Sequence, residues 1–216
     1  MRTLLAALLL AAPLAAQTPA DTVIVRDQRT FDSLMADVRS GDTTIAVESR
    51  YFTTNNFTGA QLPGYEANRA FLRKEAVAAL TRVQARLRRQ HLGLLIYDGY
   101  RPVRATEAMV SWAERIGRKV ELVDGGYIAS RSRHNLGLAV DLTVIDLRTR
   151  RPLEMGTPFD TFSEAAHTAN ATGEAAKNRK ILVDAMTAEG FENYDQEWWH
   201  FLMRLPNEVR FDVPVH

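Results

Sequence analysis

Two short stretches hold the residue types best suited to chemistry. In Ser132-Arg133-His134-Asn135-Leu136-Gly137-Leu138-Ala139-Val140-Asp141 a histidine and a carboxylate stand seven residues apart, with a glycine between them. Roughly sixty residues later comes Glu197-Trp198-Trp199-His200, a second histidine preceded by a carboxylate. Two histidines and one aspartate are a ligand set that a catalytic zinc accepts while one position stays open for water. A nearby glutamate can take that water's proton. The pattern therefore points to a metal-dependent hydrolase, with His134, Asp141 and His200 as ligands and Glu197 as general base. The oxyanion formed on the way needs a cation, and Arg101 is the arginine best fixed by its surroundings, since Pro102 restricts it. Blander readings stand beside these. A lone His or Asp on a strand is often structural, and Trp198-Trp199 suits a core as well as a substrate platform. His91, His167 and His216 receive no catalytic role, although His167 is a candidate for outer support of the site.

These side chains must be placed by elements the sequence also marks. Leu138–Leu147 reads as a strand on which Ala139, Asp141 and Thr143 share one face and Val140, Leu142 and Val144 the other. Gly137 permits the turn that brings His134 back beside Asp141. Trp198–Met203 reads as a last strand, from which Glu197 reaches the site only if the chain turns or bulges there. Leu94–Tyr97 is a buried strand leading to Arg101. Ala67–Arg89 is the clearest helix: Leu72, Ala76, Leu80, Val83 and Leu87 make one apolar stripe, and the arginines between them a solvated face. Further helices are expected over Ala105–Ile116, Asn178–Glu189 and Thr30–Val38, with short strands at Thr22–Arg26 and Thr43–Glu48. Tyr51–Gly64 is an ordered loop, and Asp124-Gly125-Gly126 a turn. Arg148–Asn178 is a long connection, of the length that more often serves function than idles. The order of elements gives an α+β fold, a single compact domain with a mostly antiparallel sheet and packed helices.

Composition narrows the classes. The chain of 216 residues suits one domain with a sizeable core, and a net charge of +1 gives no reason to expect nucleic acid as a partner. Cysteine is absent, so any transition metal rests on His, Asp or Glu. Residues 1–16 have a positive start at Arg2, a short apolar run and a small-residue exit, the pattern of a secretory signal peptide. That run is too short to span a bilayer, and no membrane span is expected in the mature chain, residues 17–216. The expected location is periplasmic or extracellular. No repeat or heptad pattern is present, and oligomeric state is left open.

Ser132-x-His134-x2-Gly137-x-Ala139-x-Asp141 with Glu197-x-Trp199-His200 resembles the zinc D,D-peptidases, and most closely their D-alanyl-D-alanine dipeptidase branch of the VanX type. Asn56-Phe57-Thr58-Gly59, Asp98-x-Tyr100-Arg101-Pro102, Asp141-Leu142-Thr143 and Met155-Gly156-x2-Phe159-Asp160 match the same branch in the same order, from about Tyr51 to Phe201. The resemblance implies one zinc on His134, Asp141 and His200, Glu197 as general base and acid, and Arg101 on the oxyanion. It further implies Asp160 as the carboxylate receiving the substrate's free ammonium, and Ser132 as a lining residue of the substrate pocket. The implied activity is hydrolysis of the D-alanyl-D-alanine dipeptide, in a small, partly covered cavity of a zinc D,D-peptidase-like fold. The first fifty residues and the segment after Asp160 carry no such match, and the leader departs from resistance dipeptidases that work in the cytoplasm. An exported relative would recycle or scavenge wall-derived dipeptide. Two other functions stay in view: a carboxypeptidase or endopeptidase trimming larger peptidoglycan peptides, and a non-catalytic metal-containing module that binds wall fragments.

Overall fold

The computed structural model describes residues 23–206 and 208–216, so the expected signal peptide lies outside the described residues. Its centre is a five-stranded sheet of β3 (Ala46–Val47), β5 (Leu92–Asp98), β6 (Ala139–Asp146), β8 (His200–Leu202) and β7 (Glu192–Asn193), in that spatial order. The β3 and β5 strands run parallel, and every other pair in the sheet is antiparallel. Two small ribbons flank it: β2 (Met35–Asp37) against β4 (Phe71–Arg73), antiparallel, and β1 (Ile24–Val25) against β9 (Arg210–Phe211), parallel. The four α-helices of the described residues are α1 (Gln28–Leu34), α2 (Lys74–Arg88), α3 (Val103–Arg115) and α4 (Gly173–Thr187). The α+β expectation is borne out. No helix of the described residues is long and apolar enough to cross a membrane.

Alternation along β6 divides the molecule. Val140, Leu142 and Val144 belong to a core with Leu80, Val83 and Leu87 of α2 and Leu182 and Met186 of α4. A second apolar cluster gathers Phe31 of α1, Tyr51, Tyr65, Tyr100, Met109 of α3, Ile128, and Phe211 of the terminal ribbon. Asp141, on the alternate positions of β6, is drawn away from the first core toward the cavity described below.

Several boundaries differ from expectation for tertiary reasons. The helix expected from Ala67 starts only at Lys74, because Phe71, Leu72 and Arg73 pair with Asp37, Ala36 and Met35. Leu72 is buried as the stripe required, but from a strand. The same pairing ends α1 at Leu34, short of the expected Val38. At the other end, α4 begins at Gly173, five residues before Asn178. The last strand is shorter than Trp198–Met203, because residues 194–200 turn: Glu197 N–H donates to the Tyr194 carbonyl (3.0 Å) and His200 N–H to the Glu197 carbonyl (3.1 Å). This is the turn that Glu197 needed.

Candidate active site

A row of polar residues crosses three adjacent strands. Asp98 of β5 lies opposite Asp141 of β6, which lies opposite His200 of β8. The first of these pairings depends on an irregularity in β5 between Ile96 and Asp98, which shifts the register at the strand's end. His134 joins the row from a short 3-10 turn, Arg133–Leu136, packed against the start of β6. That turn is capped at both ends. Ser132 Oγ accepts the His134 N–H (3.2 Å), and Gly137 closes the turn at φ 66°. The backbone angle favours glycine, and a Cβ there would sit 2.5 Å from the Met35 sulfur, which would have to move aside.

His134 Nε2, His200 Nδ1 and Asp141 Oδ1 converge. The separations are 3.2 Å between the two nitrogens, 3.3 Å from His134 to Asp141, and 2.8 Å from His200 to Asp141. Donors bound tetrahedrally to zinc at about 2.0–2.1 Å stand roughly 3.3–3.4 Å apart. Two of the three distances fit directly, and the third is a hydrogen bond that must lengthen by about half an ångström. The tautomer fits as well. His134 Nδ1 is 2.7 Å from the Gly99 carbonyl, which can only accept, so Nδ1 carries the proton and the Nε2 lone pair faces the cluster. Among the described residues these three form the group of His and acidic side chains arranged to hold a metal ion.

Arg101 is held from beneath by Asp98. Its Nε and Nη2 each lie 2.9 Å from Asp98 Oδ2, while Asp98 Oδ1 accepts from the Tyr65 hydroxyl at 2.7 Å. Its Nη2 also stands 3.7 Å from Asp141 Oδ2, so the guanidinium borders the histidine cluster. Across from it, Asp160 sits at φ 59°, an uncommon backbone state for a residue with a side chain. The Tyr51 hydroxyl donates to both its oxygens (3.1 and 3.3 Å), and the Arg101 guanidinium lies over the Tyr51 ring at 5.0 Å.

All seven residues singled out from the sequence, Arg101, Ser132, His134, Asp141, Asp160, Glu197 and His200, line one cavity of about 280 Å³. Phe57, Tyr127, Phe162, Tyr194 and Trp199 contribute its aromatic walls. The electrostatics are lopsided. Burial tends to raise the Asp141 carboxyl, but His134 and His200 beside it outweigh this and hold it below the usual carboxylate range. Burial, and then the Asp141 charge, push Glu197 up to about 8. Asp160 is driven well above its ordinary value, first by burial and then by Asp141 and Glu197. Four carboxyl groups, those of Asp98, Asp141, Asp160 and Glu197, gather around the buried guanidinium of Arg101, while Arg131 and Arg133 line the same cavity.

The family model described as D-ala-D-ala dipeptidase matches residues 34–209. The chain belongs to the D-ala-D-ala dipeptidase family. Among curated relatives it is 37% identical over 186 residues to a D-alanyl-D-alanine dipeptidase of Enterococcus faecium, covering 78% of this chain and 91% of that one. It is also 37% identical over 185 residues to the corresponding dipeptidase of Streptomyces coelicolor, with the same coverage. A remote likeness is found to a solved structure of the vancomycin-resistance D,D-pentapeptidase VanY in complex with Zn(II). There the identity is 13% and the TM-score 0.40, over 85% of this chain and 88% of that one.

Sequence reasoning passes over residues that support the candidate site. Asp98 and Tyr100 belong to a quoted motif, but the grip of Asp98 on Arg101 rests on contacts that no spacing reveals. Tyr51 was placed at the edge of a loop, with no sign that its hydroxyl meets a carboxylate 109 residues away. Gly99 is held to glycine by its surroundings: a Cβ there would lie 2.7 Å from the Phe71 carbonyl, and its own carbonyl fixes the His134 tautomer. His167 lends the fold its carbonyl, which accepts from Arg179.

Proposed function

We propose that this protein is a zinc-dependent dipeptidase that hydrolyses D-alanyl-D-alanine, acting outside the cytoplasm. The observation that carries the reading is the charge of the cavity. Asp160 and Glu197 are held above their ordinary range by burial and by neighbouring carboxylates, a cost that a divalent cation and one substrate ammonium would relieve. Membership in a family of D-alanyl-D-alanine dipeptidases supports the same substrate.

His134, Asp141 and His200 would hold the zinc, a borderline ion suited to two imidazoles and a carboxylate. Zinc bound there supplies Lewis acidity and a water acidic enough to ionise near neutral pH. Glu197, 14% exposed at its side chain and 3.9 Å from His200, takes a proton at its carboxylate and returns it to the leaving amine. Arg101, preset by Asp98, presents its guanidinium where negative charge develops on the scissile carbonyl oxygen. Asp160 binds the dipeptide's ammonium, with Tyr51 orienting the carboxylate, and Ser132 closes the pocket wall beside His134. The signal-like pattern of residues 1–16 supports export.

The test combines product and metal. Zinc-loaded protein should release D-alanine from D-Ala-D-Ala and leave L-Ala-L-Ala intact, and chelation should abolish the activity until zinc is restored. His134→Ala, Asp141→Ala and His200→Ala should each lose bound zinc. Full zinc occupancy in all three variants would overturn the ligand assignment, and an inert zinc-loaded wild type would overturn the function. Protein recovered from the periplasm or medium should begin near Gln17; a chain retained in the cytoplasm with Met1 intact would refute export.

A further inference from the structure

The stretch that carries Asp160 has little structure of its own. Between Met155 and Thr168 its regular backbone amounts to the 3-10 turn Glu164–Ala166, yet Asp160 is held at φ 59° in its middle. An uncommon backbone state persists where the structure around it holds the chain in place.

Arg179 does so. It lies in the first half of α4 with 2% of its surface exposed, and its partners are carbonyls from both sides of Asp160. Nε donates to the Met155 carbonyl (2.7 Å), Nη1 to that of His167 (2.6 Å) and Nη2 to that of Ala165 (3.0 Å). The same guanidinium lies 5.9 Å from the ring of Trp198, the residue after Glu197. Trp198 in turn donates its backbone N–H to the Ala166 carbonyl (3.1 Å) and its indole Nε1–H to Thr157 Oγ1 (2.9 Å). One buried arginine therefore joins the segment bearing Asp160 to the turn bearing Glu197.

We propose that Arg179 is a positioning residue that fixes the Asp160 carboxylate relative to Glu197, and thereby the length of substrate the site accepts. The inference rests on the dipeptidase reading, in which Asp160 receives the ammonium and Glu197 acts at the scissile bond. The planar guanidinium is suited to the task because its donors point three ways in one plane; a lysine ammonium cannot reach three such carbonyls from one stem.

The experiment compares D-Ala-D-Ala with β-alanyl-D-alanine, whose ammonium stands one methylene further from the scissile carbonyl. Wild type should prefer the first strongly. Arg179→Gln and the milder Arg179→Lys should lose roughly 10- to 100-fold in kcat/KM on D-Ala-D-Ala, the scale of a small misplacement of reacting groups. The preference should also fall toward that of Asp160→Ala. An arginine that merely stabilises the fold would lower both substrates by one factor, and an unchanged ratio in folded, zinc-containing variants overturns the proposal. Amide hydrogen exchange gives a second reading that needs no activity. In Arg179→Lys, exchange should quicken across residues 155–168 and stay slow in β5 and β6; unchanged exchange in the segment overturns the clamp. A wild type inert on D-Ala-D-Ala would instead sink the functional reading, with the clamp still judged by exchange.

Discussion

Glu197 stands beside Asp141, whose charge repels it, and faces Arg101 and His134, which only partly relieve the cost of its burial. That setting makes Glu197 more basic than an ordinary carboxylate, and a cation held by the neighbouring His134, Asp141 and His200 would offset the repulsion and free it to take a proton. Glu197→Gln keeps the shape and removes the basicity, so kcat should fall by about 10²- to 10⁴-fold while zinc content stays at the wild-type level. The same residue governs a pH effect in metal-stripped protein. Its value is 4.5 ordinarily and about 8 when folded. Between those limits the native state binds more protons than the unfolded chain, so stability falls as pH rises and levels off above about 8. Thermal melts of the stripped protein from pH 5 to 8 should show this decline in wild type and a shallower one in Glu197→Gln, with Asp160 and Asp98, both also raised by burial, supplying the remainder. Superimposable curves would contradict the placement of Glu197 in the negative pocket.

The site is assembled where β5, β6 and β8 bring Asp98, Asp141 and His200 into register, and the turn before β6 adds His134. Gly137 is the hinge of that assembly. Gly137→Ala would force a side chain to φ 66° and into the Met35 sulfur, whereas Gly117, at φ 71°, has nothing within 4 Å of a built Cβ. Gly117→Ala should therefore cost only the backbone term, about 1–3 kcal/mol. Gly137→Ala should cost more than that in urea unfolding and should also weaken zinc binding. Equal losses, with zinc binding intact in both, would show that the turn does not set the ligand.

What the sequence disclosed about these elements follows the range of the forces involved. The alternation in Ala139–Val144 and the types and spacing of His134, Asp141, Glu197 and His200 are local, and they point to the strand face, the convergence of His134, Asp141 and His200, and the need for a turn at Glu197. Leu72 misled for the same reason. Its spacing from Ala76 suits a helix, but pairing with β2, 36 residues away at Ala36, decides its conformation. Asp160 was legible only through family resemblance, since one aspartate in a loop carries no signal of its own. Tyr51, Asp98 and Arg179 act through contacts between distant segments and left no pattern to read.

Across the whole molecule the charge is distributed unevenly. The chain is nearly neutral at +1, yet the cavity concentrates buried acidic side chains. Arginines elsewhere are largely spent on surface pairs, such as Arg82 and Arg86 on Glu189, which contribute little to stability but keep the exterior balanced. A cluster of buried acidic groups favours a cationic ligand, and a free dipeptide presents its ammonium only a few bonds from the scissile carbonyl. N-acetylation removes that charge and adds bulk at the point where Asp160 waits. Leaving a buried carboxylate unmatched is costly, so the penalty should be large. The most direct measurement is D-alanine release by zinc-loaded wild type from D-Ala-D-Ala and from N-acetyl-D-Ala-D-Ala under identical conditions. A dipeptidase built around Asp160 should have a kcat/KM at least about 100-fold higher on the free dipeptide, equivalent to roughly 3 kcal/mol. Equal rates, or preference for the acetylated peptide, would contradict it.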